Sequence, residues 1–340
     1  MHYFVTGHTG FKGSWLTLLL TALGHEVSGY SLAPVRGGLF DRTRLDRQVK
    51  HHYLADVRDR DALIQALQAT KPDFAIHMAA QPLVLRSYED PIETYTTNVD
   101  GTRNFLEAIS ALDSPPTSLI VTTDKVYRDD GKGSYIESDP LGGHDPYSAS
   151  KAMADILSQS WSETNPELRI HIARAGNVIG AFDVSENRLI PDAIRSVRAQ
   201  QPLEVRNPDA VRPWQHVLDC LSGYLLLLAQ AGHGSKAPTV MNFGPDDRSI
   251  RRVLDVLVEA HQTVPELTFQ VSRDDGQPKE TQLLTLDSSR AKSVLNWENL
   301  IGFEDAVAMS FAELGDDEPE ALVNRQIQNF LERGAKGWLA

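Results

Sequence analysis

Gly7-His8-Thr9-Gly10-Phe11-Lys12-Gly13 places three glycines at spacing three between a short aromatic and β-branched run, Tyr3-Phe4-Val5, and an apolar stretch from Ser14 to Ala22. A strand that turns through glycines into a helix lets backbone approach a ligand closely and aims the helix N-terminal N–H groups at an anion such as a pyrophosphate. The same rhythm continues downstream. His25–Tyr30 and Phe74–Met78 read as strands, Ala62–Ala69 as an amphipathic helix, and a helix over Tyr95–Leu112 precedes the strand Ser118–Thr122. A further helix over Ser148–Glu163 leads to the strand Ile170–Ala173. Repeated β then α predicts an α/β fold, a doubly wound parallel sheet of Rossmann type with helices on both faces. The rhythm weakens after about Gly176, where Arg-Pro, Asn-Pro and Gly-Pro pairs mark turns. The chain therefore divides into a dinucleotide-binding and catalytic part, 1–176, and a smaller substrate lobe, 177–340, with a strand near 240–244 that could return to the main sheet.

The chain has 340 residues, enough for two lobes at roughly 150 residues each. Its 46 acidic and 33 basic side chains leave a formal charge of -13, which repels phosphate backbones and anionic lipid surfaces. Nucleic acid and membrane are therefore not expected partners, although a cleft can focus a local basic field of its own. A single cysteine, Cys220, makes neither an internal disulfide nor a thiolate metal site, and the cytoplasm fits best. Trp15–Leu23 resembles a signal-peptide core only in composition, because a strand and a glycine loop precede it. No metal site is expected, since His77 has no companion at ligand spacing.

The loop makes Gly7, Thr9, Gly10, Phe11, Lys12 and Gly13 candidate cofactor contacts. NAD-binding folds usually carry an acid about 20 residues on, for the ribose 2′-hydroxyl. Here the second strand ends in Gly29-Tyr30-Ser31-Leu32, with Arg36 beyond it, so Ser31 stands where a carboxylate would and NADP stays open beside NAD. Asp56 and Val57, after the strand-like His52-Tyr53-Leu54, could meet the adenine, or Asp56 could cap a helix. Tyr147-Ser148-Ala149-Ser150-Lys151 sets a phenol and an ammonium four apart on one helix face, an arrangement in which the cation favours the phenolate. Alone the pair is common; it gains weight after a strand that ends in Thr122-Thr123-Asp124-Lys125.

Together these motifs resemble the extended short-chain dehydrogenases/reductases that act on nucleotide sugars. The segments Gly7–Leu16, Ala79–Val84, Thr123–Tyr127, Asp145–Lys151, Ala173–Gly180, Arg188–Asp192 and Arg212–Val217 are similar to the CDP-glucose 4,6-dehydratase branch. The resemblance implies a tightly held NAD that takes hydride from sugar C4, loss of water across C5 and C6, and return of the hydride to C6, giving a 4-keto-6-deoxy sugar. It implies that Tyr147 deprotonates the 4-hydroxyl, that Lys151 tunes it and grips the ribose, and that Thr123 positions the hydroxyl. Asp124 aligns with the acid for the departing 6-hydroxyl. Lys125 stands where related enzymes carry a basic glutamate, and would act either as a base or as a cation stabilising the enolate. The resemblance adds Ala79, Ala80, Gln81 and Asn98 to the cofactor contacts. For the substrate it implies Gln81, Asn177, Arg188, Leu189, Arg206, Arg212 and His216, with Arg174 among the arginines suited to paired phosphates. A homodimer through a four-helix bundle, built from the helices near Tyr95–Leu112 and Ser148–Glu163, is a further implication. The segment Arg128–Tyr135 lacks the aromatic-rich stretch of that branch, which leaves open a dehydratase of another nucleotide sugar. A 4-epimerase and, more remotely, a non-catalytic dinucleotide-binding sensor are the alternatives.

Overall fold

The computed structural model describes residues 1–232, 239–271, 284–335 and 337. Seven strands form one sheet: β1 (His2–Thr6), β2 (Glu26–Ser31), β3 (His51–Leu54), β4 (Phe74–His77), β5 (Thr117–Thr123), β6 (Ile170–Ala175) and β7 (Val240–Phe243). Their order is β7-β6-β5-β4-β1-β2-β3 and every neighbouring pair is parallel. Typical register pairs are Val5 with Gly29 and Ile76, Ile76 with Leu119, and Val121 with Ala173. The order reverses between β1 and β4, so the crevice beyond the strand C-termini opens there.

Such a sheet needs strands that are apolar on both faces, and the alternation is visible residue by residue. In β1, Tyr3 and Val5 join one core while Phe4 joins the other; in β5, Leu119 and Val121 point one way and Ile120 the opposite way. The first core is closed by α1 (Phe11–Ala22), whose Trp15, Leu16 and Leu19 are fully buried. The second is closed by α2 (Arg60–Thr70) and α3 (Gly101–Ser110), through Leu63, Leu67, Phe105 and Ile109. Helix α4 (Pro146–Thr164) packs beside α3, with Leu157 and Trp161 at the edge of that core. Asp145 caps α4 by accepting from the Ser148 amide at 2.9 Å, and Pro146 occupies its first turn, so the cap fixes where Tyr147 and Lys151 begin.

The helix expected over Tyr95–Leu112 is a composite: Pro91–Tyr95, a π-helical turn Thr96–Asp100, then α3. The extra residue in the π turn bears Asn98 inward, and such turns recur at functional sites. Beyond Gly176 the chain adds α5 (Leu189–Ala199), α6 (Val217–Gly232) and small paired strands such as Val211–Pro213 with Ile250–Arg252. Helix α6 lies on the α1 face, and its core is continuous with that of the sheet. Among the described residues no helix is long and apolar enough to cross a membrane.

A Cβ at Gly13 would sit 2.1 Å from the Gly7 carbonyl oxygen, a backbone atom that cannot swing aside. Gly13→Ala is expected to cost about 1–3 kcal/mol, read by chemical denaturation, because the loop must spread to admit it. A variant as stable as the parent would show that the turn has slack the structure does not display.

Candidate active site

The glycine loop is built to admit something against its backbone. Gly7 has φ 76°, and a Cβ there would meet the Ala79 amide nitrogen at 2.8 Å. Gly10 is the N-cap of α1 and no side chain caps the helix, so the first-turn amides are left for a ligand. Thr9 Oγ1 lies 2.8 Å from Ser31 Oγ and donates to the Leu32 carbonyl at 2.9 Å, which ties the loop to the end of β2. Arg36 is exposed beyond that point. Asp56 is held in a fork by Arg58, with contacts of 2.6 and 3.0 Å that lower its pKa through the hydrogen bonds. Val57 is buried beneath Gly101. Phe11 is half-buried at the start of α1, and Ala79 and Ala80 are half-buried after β4, where Thr6 Oγ1 accepts from the Ala79 amide. The cradle and the uncapped helix fit a dinucleotide.

Gln81 and Asn98 depart from the expectation. Asn98 accepts from the Gln81 amide at 2.8 Å and donates to its carbonyl at 3.1 Å and to Ser150 Oγ at 2.8 Å. The Gln81 side chain donates to Thr94 Oγ1 and the Leu83 carbonyl and accepts from the Leu83 amide. Both are buried, and every polar group of Gln81 is already paired, so it shapes the crevice floor instead of reaching a ligand.

The catalytic candidates converge at the end of β5. Thr123 donates to Asp124 Oδ1 at 2.7 Å and acts on the Tyr147 phenol, favouring its ionised form. Asp124 is buried and its pKa is raised by that burial, against the opposing charge of Lys125. The Lys125 side chain has no ion pair within 4.0 Å among the described residues and faces Asp124 electrostatically. Burial pushes the Tyr147 phenol up to about 12, with Thr123 and Arg188 acting the other way. Lys151 donates from Nζ to the Val121 carbonyl at 2.8 Å, and burial pulls it down to about 8. The expected depression of the phenol by its neighbouring ammonium is thus outweighed by desolvation, the largest effect on Tyr147.

The substrate candidates divide. Arg188 is partly exposed, pairs with Asp183 at 3.1 Å and sends its field to Tyr147, which places it at the rim of the catalytic crevice beside half-buried Leu189. Asn177 and Arg206 are exposed, and Arg212, half-buried, donates to the Val211 carbonyl at 2.9 Å. His216 does not belong with them. It is fully buried, its Nδ1 accepts from the Leu218 amide, its ring meets Trp15 edge-on at 5.9 Å, and burial lowers it to about 3. It is a core residue. Arg174 is likewise withdrawn into the interior, 1% exposed and forked on Asp155, leaving no face for a phosphate.

A family model described as GDP-mannose 4,6 dehydratase matches residues 4–310. The chain belongs to this family of extended short-chain dehydrogenases/reductases. It is 39% identical over 315 residues to a CDP-glucose 4,6-dehydratase of Salmonella typhimurium, covering 89% of this chain and 88% of that one. The crystal structure of dTDP-glucose 4,6-dehydratase from Bacillus anthracis in complex with NAD is similar in fold, with a TM-score of 0.77 at 22% identity over 95% of this chain and 99% of that one. A UDP-glucose 4-epimerase from Brucella ovis, also in complex with NAD, has a TM-score of 0.78 at 19% identity over 92% of this chain and 98% of that one.

Within this family frame two crevice residues escaped sequence reasoning in the roles they occupy. Lys12 does not simply extend the phosphate loop: its Nζ donates to the Tyr224 hydroxyl at 3.4 Å, and its charge reaches both Asp124 and Lys151. Tyr224, on α6, is buried and interacts with Tyr147. Only the distance in sequence, 212 residues, hid this contact. A phenol raised to about 12 is neutral below that pH, so the cofactor-free protein is expected to show no Tyr147 ionisation between about pH 7 and 10. The measurement is the phenolate absorbance difference between the parent and Tyr147→Phe. A titration in that window would show that the lysine outweighs burial after all.

Proposed function

We propose that this chain is a nucleotide-sugar 4,6-dehydratase that converts CDP-glucose to CDP-4-keto-6-deoxyglucose with NAD. The observation that carries the reading is the placement of a buried Asp124, its pKa raised by burial, beside Thr123 and near Tyr147, because an acid at that point is needed to expel a hydroxyl and has no task in C4 epimerisation. The 39% identity with the Salmonella enzyme supports CDP-glucose as the substrate. NAD, held along Gly7–Gly13 and at Lys151, supplies when bound a reversible acceptor for the hydrogen taken from C4 and returned at C6.

The chain's own residues do the proton work. Tyr147, neutral in the cofactor-free protein and favoured as phenolate only when a cationic nicotinamide would lie beside it, takes the proton of the 4-hydroxyl as C4 becomes a ketone, with Thr123 orienting that hydroxyl. Lys151, anchored on the Val121 carbonyl, keeps two further donors for the ribose and the phenol oxygen. The C4 ketone acidifies the C5 hydrogen, so oxidation precedes elimination. Lys125 acts at C5, as the base that takes its proton or as the cation that stabilises the enolate while a water takes it, and Asp124 delivers its proton to the departing 6-oxygen, which leaves as water. Protonation at C5 then accompanies reduction at C6. Arg188, Arg206 and Arg212 supply the cations for the diphosphate, and exposed Asn177 a polar contact.

Asp124→Asn is expected to let bound cofactor become reduced on mixing with CDP-glucose while slowing the loss of water by about 10²–10⁴-fold. Tyr147→Phe should block the reduction itself. Nicotinamide absorbance and product mass read the two steps separately; a product of unchanged mass from the parent enzyme would replace the dehydratase with an epimerase.

The second copy expected of this enzyme has a face to meet. Leu85, Tyr88, Ile92, Met153 and Ile156 are 48–71% exposed on Val84–Glu89, Pro91–Tyr95 and α4, which pack side by side. Two such faces would make a helix bundle across a two-fold axis. The bundle uses these segments and not α3, whose apolar residues are buried inside the chain. An Ile92→Glu/Ile156→Glu variant is expected to sediment at half the mass of the parent; a parent that sediments as a monomer removes the dimer. The buried Cys220 supports a cytoplasmic location.

A further inference from the structure

Helix α4 carries a third titratable residue on the stripe of Tyr147 and Lys151. Asp155 lies one turn beyond Lys151 and is fully buried. Arg174 of β6 forks it, with Nη2 2.7 Å from Oδ1 and Nε 2.9 Å from Oδ2. Thr122 of β5 donates to Oδ2 at 2.8 Å and Gln159 to Oδ1 at 2.7 Å. The guanidinium is equally enclosed: Nη1 donates to the Tyr127 hydroxyl at 2.9 Å and the Glu137 carbonyl at 3.0 Å, and the group lies 4.9 Å from the Tyr127 ring. Burying two charges costs several kcal/mol per ion, and well-packed apolar residues are often as stable in their place. Stability alone is therefore a poor reason for this pair.

Its position suggests a better one. Val121 accepts from Lys151 and Thr122 donates to Asp155, so two consecutive residues of β5 are tied to two consecutive turns of α4. The next residues along the chain are Thr123 and Asp124, and the preceding turn of the helix carries Tyr147. We propose that Asp155, locked by Arg174, is a positioning residue that sets the register of the catalytic helix on β5 and supplies the buried negative charge facing Lys151.

The charges around that lysine come from three elements. Asp155 on α4 favours the ammonium; Lys12 on α1 opposes it; His77 on β4 is neutral, since burial holds its ring near 3. Burial is the largest effect and lowers Lys151 to about 8, with Asp155 resisting the fall. Without Asp155, burial and Lys12 act unopposed.

The role assigned to Lys151 rests on the proposed function, but its charge can be read without turnover. In protein labelled with ¹³Cε-lysine, the resonance lost in Lys151→Arg identifies Lys151, and its titration gives the midpoint. The parent is expected to titrate near pH 8. In Asp155→Leu/Arg174→Met, which replaces the pair with apolar side chains, the midpoint is expected to fall by about one pH unit or more. Turnover of CDP-glucose should fall about fivefold or more near pH 8 and recover as the pH is lowered past the new midpoint, a rescue that misfolding would not produce. A midpoint unchanged in the folded double variant overturns the proposal, as does a parent midpoint below about 6, the range of buried lysines without an anion. If the double variant does not fold, the parent titration decides alone. If the midpoint moves as expected while no water is lost from CDP-glucose, the reading of the function fails and the role of Asp155 stands.

Discussion

The docking of α4 on the C-terminal half of β5 is the contact on which the chemistry depends. It brings a phenol and an ammonium from one element against a hydroxyl and a carboxyl from the other, and it does so in a place from which water is largely excluded. Desolvation moves each titratable member toward its neutral form: Tyr147 up, Asp124 up, Lys151 down. The charges in the site are therefore poorly screened, and small additions of charge have large effects. A positive nicotinamide or an anionic sugar diphosphate entering such a crevice acts through a low dielectric, where one added charge can shift a proton equilibrium that would barely respond in water.

The sheet explains why these elements meet at all. Because β1 and β4 diverge in their connections, the loops that follow β1, β4, β5 and β6 open into one crevice. Gly7–Gly13, Ala79–Gln81, Asp124–Lys125 and Gly176-Asn177 are those loops. Their convergence needs no contact between them; it follows from parallel strands that all end on the same side. Glycine is required where two of the loops cross, as at Gly7 against Ala79.

The features legible in the sequence were local ones. The glycine loop, the Tyr147/Lys151 spacing and the Thr123-Asp124-Lys125 strand end are each carried by neighbours within a few residues, and the parallel sheet follows from the alternation of strands and helices. Where the reading failed, the deciding partner lay far along the chain. His216 resembles a ligand-binding histidine until Trp15 closes over it, and Arg174 resembles a phosphate fork until Asp155 fills it. Gln81 is absorbed by Thr94 and Asn98, the latter brought round by a π turn that periodicity does not announce. The pKa of Tyr147 failed for a different reason: spacing identifies the cation but carries no measure of burial, and burial has the greater effect on this phenol.

The net charge is -13 while the proposed substrate carries a doubly negative diphosphate, and the arrangement of the arginines bears on how the two are reconciled. Many are neutralised where they stand, Arg58 by Asp56, Arg86 by Glu93, Arg325 by Asp317. At the crevice the balance differs. Arg188 has one carboxylate partner, Asp183, yet its field still reaches Tyr147, and Lys12 faces inward on a hydroxyl instead of an acid. An anion approaching the acidic exterior is repelled until it enters the crevice, where low-dielectric walls concentrate the fields of Arg188 and Lys12.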